Sequence, residues 1–72
     1  MPVHVHDHAL PGVGRRYELT GADGDHVVVV VHGSGRRDLH LRRAGDDDAA
    51  ATAVLTEREA DALAAILAEG RP

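Results

Sequence analysis

Seventy-two residues hold one domain at most, and a chain this short buries only about 60% of its unfolded surface, so its core is marginal. There is no cysteine, which excludes disulfides and thiolate metal sites, and the net charge is −4 with all eight basic residues arginine, which argues against a nucleic-acid binder. The longest apolar run, Val27 to Val31, is far short of the roughly 20 residues that span a bilayer, so direct membrane insertion is excluded.

Val3 to Ala9 alternates apolar and polar residues and reads as a first strand. Leu10-Pro11-Gly12-Val13-Gly14 is turn chemistry. Arg15 to Thr20 alternates again, with Tyr17 and Leu19 on one side and Arg16, Glu18 and Thr20 on the other. The Asp-Gly at Asp23-Gly24 predicts a hairpin into His26 to His32. Five consecutive valines make both faces of that strand apolar, as in a central strand covered on both sides. Gly33-Ser34-Gly35 predicts a second tight turn, and Arg36 to Arg43 a fourth strand with Leu39 and Leu41 inward. After the acidic loop Gly45-Asp46-Asp47-Asp48, Ala49 to Leu55 is ambiguous between helix and strand. Thr52, Val54 and Leu55 favour a short fifth strand. Thr56-Glu57-Arg58-Glu59 is a capping box opening a helix to about Glu69, with Gly70 as its stop and Ala60, Leu63, Ala64, Ile66 and Leu67 as its apolar stripe.

The expected fold is therefore α+β: a small antiparallel sheet of four to five strands with one C-terminal helix packed on a face. Met1-Pro2-Val3-His4 lacks the basic-then-apolar order of a secretory signal, so the expected location is cytoplasmic.

The segment Leu10-Pro11-Gly12-Val13-Gly14-Arg15-Arg16-Tyr17-Glu18-Leu19 resembles the opening of the cytosolic regulatory subunit of bacterial cation/proton antiporters, the KhtT-like group. The valine strand with Gly35-Arg36-Arg37-Asp38-Leu39 is similar to the next block of that family. The acidic loop and Leu55-Thr56-Glu57-Arg58-Glu59-Ala60 with its helix are similar to the blocks that follow. The resemblance implies a non-catalytic regulatory domain, 1–72, on the cytosolic side of a membrane antiporter that exchanges K⁺ or another monovalent cation for protons. Full-length members add a C-terminal ligand-binding module associated with cyclic di-AMP. The matched blocks lie outside that module, so nucleotide binding is not carried over.

The resemblance leaves some residues unexplained. His4, His6 and His8 share one face of a strand at a spacing of roughly 6.5–7 Å, where imidazoles could share Zn²⁺ or Ni²⁺. That pattern makes a small histidine-rich metal-binding protein the alternative function, and its ligand count matches even a minimal zinc hydrolase. An exposed polar face on a terminal strand accounts for the same residues. All six histidines together suggest a pH response, because protonating them moves the net charge from −4 to +2. The glycine turns both lead into strands, which is wrong for a phosphate loop, and the acidic loop lacks the ligand spacing of an EF-hand. The single serine, Ser34, sits in a turn, so no catalytic residue is assigned. A homodimer is expected. Val28 and Val30 are its candidate face if the helix covers Val27, Val29 and Val31. Arg37 and Arg43, expected on the side of Leu39, could reach acidic residues of a partner.

Overall fold

The computed structural model describes residues 3–70. Five antiparallel strands form one sheet in sequence order: β1 (Val5–Leu10), β2 (Gly14–Thr20), β3 (His26–His32), β4 (Arg37–Arg42) and β5 (Ala51–Leu55). A single helix, α1 (Glu57–Glu69), follows after one residue. The α+β meander read from the sequence is the observed fold, and the Ala-rich segment before the helix is a strand, paired to β4 from Leu41↔Ala51 to Arg37↔Leu55.

Local chemistry sets the connections. Pro11 and Gly12 occupy the central positions of the first turn, Gly12 has φ 78°, and the Val13 amide donates to the Leu10 carbonyl at 2.9 Å. That is the geometry of a type II turn, which places proline first and glycine second. The helix begins as its capping box predicts: the Glu59 amide donates to Thr56 Oγ1 at 3.1 Å, and the Thr56 amide donates to Glu59 Oε1 at 2.9 Å. It ends where Gly70, at φ 74°, donates its amide to the Ile66 carbonyl. Thr56→Ala is expected to cost about 1 kcal/mol by freeing one end of this box. A lowered urea midpoint with fraying of the first helical turn, seen as faster amide exchange at Arg58 and Glu59, is the check.

Strand register divides the sheet into two sides. Val27, Val29, Leu39 and Leu55 lie on the side of the helix and, with Ala60, Leu63, Ala64 and Leu67, line an apolar cleft of about 200 Å³. Here the structure departs from the expected closed stripe. No helix residue is buried, and Leu67 is 76% exposed. The reason is the one-residue connection after β5. It starts the helix at the edge of the sheet, so α1 meets the sheet chiefly through β5 and leaves β1 and β2 uncovered.

Candidate functional site

The side of the sheet away from the helix collects the ionisable residues. Register alone puts them there. His6, Glu18, Val28, His40 and Thr52 form one row across all five strands. His8, Arg16, Val30, Asp38 and Val54 form the next. His26 lies between Thr20 and Arg42, and His32 lies opposite Gly14. Five of the six histidines thus share one face with Arg16, Arg42, Glu18 and Asp38. Each sits at an even-numbered position, and every hairpin preserves that parity.

Two clusters organise the face. Glu18 is the first hub. Arg42 Nη2 donates to its Oε2 at 3.1 Å, Arg16 Nη1 lies 3.8 Å from Oε1, and His26 Nδ1 lies 3.5 Å from Oε2. Such partly exposed pairs contribute little each, about 0–1 kcal/mol. Their side chains also roof the sheet. Val28, flanked across the strands by Glu18 and His40, is the one buried hydrophobic residue among those described, 6% exposed. The polar side chains cover it with their aliphatic stems. Val28 therefore offers little surface of its own, whereas Val30 stays half-buried beside Arg16 and Asp38.

The second cluster closes the β3–β4 hairpin. His32 Nε2 donates to Asp38 Oδ2 at 2.7 Å, and Arg36 Nε lies 3.0 Å from Asp38 Oδ1. The hydrogen bond from His32 is the main cause holding the Asp38 carboxyl below its ordinary range, with Arg36 adding to it against the opposing pull of partial burial. The sign follows from linkage. A depressed carboxyl stabilises the fold above its unfolded pKa and loses that share as pH falls through the folded value. Asp38→Asn is expected to lower the urea midpoint at neutral pH, and the gap to the unmodified chain should close progressively as pH falls through and below the ordinary aspartate range.

The other sequence candidates lie apart. His4 precedes β1, while His6 and His8 follow one another on an exposed edge strand. Among the described residues no group of three or more histidines or carboxylates is gathered to hold a metal. Asp7 is on the helix side, where its Oδ2 accepts from Arg15 Nε at 2.8 Å. Arg37 is also there, lining the apolar cleft and donating Nη1 to the Gly35 carbonyl. Arg43 lies just past β4, exposed, next to Arg42. Sequence reading missed the Glu18 hub, because Arg42 is 24 residues away and meets it only once the strands are in register. Parity alone could have found the shared histidine face. No helix among the described residues is long and apolar enough to cross a membrane.

A family described as "K(+)/H(+) antiporter subunit KhtT, N-terminal domain" matches residues 3–71. The chain is similar to the K(+)/H(+) antiporter subunit KhtT of Bacillus subtilis (strain 168), 27% identical over 66 residues, which are 90% of this chain and 40% of that protein. It is 38% identical over 39 residues to the ammonium/H(+) antiporter subunit AmhM of Alkalihalophilus pseudofirmus, across 54% of this chain and 23% of that protein. The uncharacterized protein YrvC of Bacillus subtilis (strain 168) is 29% identical over 66 residues, again 90% of this chain and 40% of the relative. The chain thus spans well under half the length of these relatives.

Proposed function

The chain belongs to the KhtT N-terminal domain family, and from that premise we propose that it is a regulatory, non-catalytic subunit domain of a cation/proton antiporter. It acts by binding. A subunit that holds one conformation of a transporter more tightly than another shifts the populations by that difference in affinity, with no bond made or broken. The observation that carries this reading is the family match over nearly the whole chain, joined to two relatives named as antiporter subunits.

In this reading the domain is a homodimer seated peripherally at the cytoplasmic face of the membrane antiporter, and the histidine face turns towards the transporter. Val30 lies on that face. Arg16 and Arg42 both pair with Glu18 on this face, so it offers a partner a mixed set of charges.

The test is co-expression with a cation/proton antiporter of the same organism. The chain is expected to co-purify with the detergent-solubilised antiporter and to change the rate of cation-driven proton movement in everted vesicles several-fold. No retention and an unchanged rate would overturn the proposal.

A further inference from the structure

The carboxylates of the histidine face lie beneath its cations. The Glu18 and Asp38 side chains are 20% and 19% exposed, and Asp38 Oδ1 is sealed from solvent. Arg36, which closes the second cluster, is 53% exposed. Both carboxylates are already engaged. Glu18 accepts from Arg42 and has Arg16 and His26 beside it, and Asp38 accepts from His32 and Arg36. Arg16 is less committed: its Nη1 stands 3.8 Å from Glu18 Oε1, and its guanidinium makes no hydrogen bond among the described residues. A guanidinium has five N–H donors, so most of that capacity is unspent. Three arginines against two carboxylates leave this face one positive charge with neutral imidazoles. The chain as a whole is at −4, so its other surfaces carry five negative charges.

We infer that the occupant of the histidine face is an acidic protein segment, whose carboxylates take the unspent guanidinium donors of Arg16 and Arg36. The complementarity is one of sign and of chemistry. The outer groups of the face are guanidinium and imidazole, and a carboxylate accepts two parallel N–H bonds from one guanidinium. A basic partner would meet cations first. An anionic bilayer has the favourable sign but fits less well. Its headgroups would repel the five negative charges of the other surfaces. The one exposed large apolar residue on this face, among those described, is Val54 on the edge strand, so little can enter the hydrocarbon. An acidic segment can meet the face alone and leave the acidic loop Asp46-Asp47-Asp48 in solvent. The inference rests on the reading above for where such a segment belongs, the antiporter, and adds the chemistry of the contact.

The test is an NMR titration of the purified chain with a glutamate-rich peptide at low salt. The Nε–H signals of Arg16 and Arg36 and the methyls of Val30 and Val54 are expected to shift, while the methyls of Leu41 and Leu67 stay in place. Added salt should weaken the binding. Arg16→Gln should weaken it about tenfold, the share of one charge-assisted hydrogen bond, with the urea midpoint unmoved. Arg58→Gln, at an exposed helix position, should leave it unchanged. The inference is overturned by an absence of shifts, by shifts confined to the helix side, or by equal affinity in Arg16→Gln. Stronger binding to phosphatidylglycerol vesicles, or to a lysine-rich peptide of the same length, overturns it too. No antiporter enters these measurements. A chain that binds the peptide but does not co-purify with a transporter refutes the earlier reading alone. A chain that co-purifies but ignores the peptide refutes this inference alone.

Discussion

Gly14→Val is expected to be the most damaging single substitution at a glycine, costing about 3 kcal/mol or more and sharply lowering the urea midpoint. Gly14 opens β2 opposite His32 of β3. A Cβ built there overlaps the Val31 carbonyl oxygen and lies 2.9 Å from the Val31 carbonyl carbon and 3.0 Å from the His32 Cα. All three neighbours are backbone, so no flexible side chain can yield. The approach is close because the β1–β2 turn folds back onto the end of β3, where the Gly33 amide donates to the Val13 carbonyl at 3.0 Å. Relief requires the two strands to separate or to shift register. A shift of one residue would carry every histidine of β3 to the helix side. A domain of this length has about 4–11 kcal/mol of stability in all, so the cost is a large share. Gly12→Asn is the control. Gly12 has open space around its missing Cβ, and asparagine tolerates its left-handed backbone, so the loss there should stay near 1 kcal/mol or below. Equal urea midpoints for the two variants would contradict this account.

The sequence made the elements legible wherever one local rule decided them. The capping box at Thr56 and the glycine at position 70 bound the helix as read. His26 to His32 is a strand with the ends read for it. Parity assigned the two sides: Tyr17 and Leu19 to one, Arg16 and Glu18 to the other. What depended on the placement of one element against another was less legible. The stripe on the helix marks which side faces the sheet, but how far the helix reaches is fixed by where β5 releases it. Leu67 therefore remains exposed although it lies on the correct stripe. The Glu18 hub was hidden for a related reason. Its partners Arg16, His26 and Arg42 come from three strands and converge only through register. Burial of Val28 was the least legible, since a rule based on apolar neighbours does not count the stems of polar side chains as cover.

Val28→Ala is the second large expected effect, a loss of about 1–3 kcal/mol of folding stability with the dimer Kd changed by less than about threefold. Val28 lies in the middle strand, and its cross-strand neighbours on this face are Glu18, with its ion-pair partners, and His40 rather than another apolar layer. Removing two methyl groups leaves a gap that the backbone of a five-stranded sheet cannot close. The Glu18 side chain, held at 3.1 Å by Arg42 and approached by Arg16 and His26, has little freedom to drop into it. Val54→Ala provides the comparison. Val54 is on the same face but on the edge strand, 65% exposed, and its truncation should change stability by no more than about 0.5 kcal/mol. The pair of measurements also separates two roles for the valine strand. If Val28 served mainly as a contact for another chain, its truncation would weaken association and leave urea unfolding of the dissociated chain unmoved. A stability loss with association intact assigns Val28 to the support of the histidine face, which then keeps its charges in register for whatever binds it.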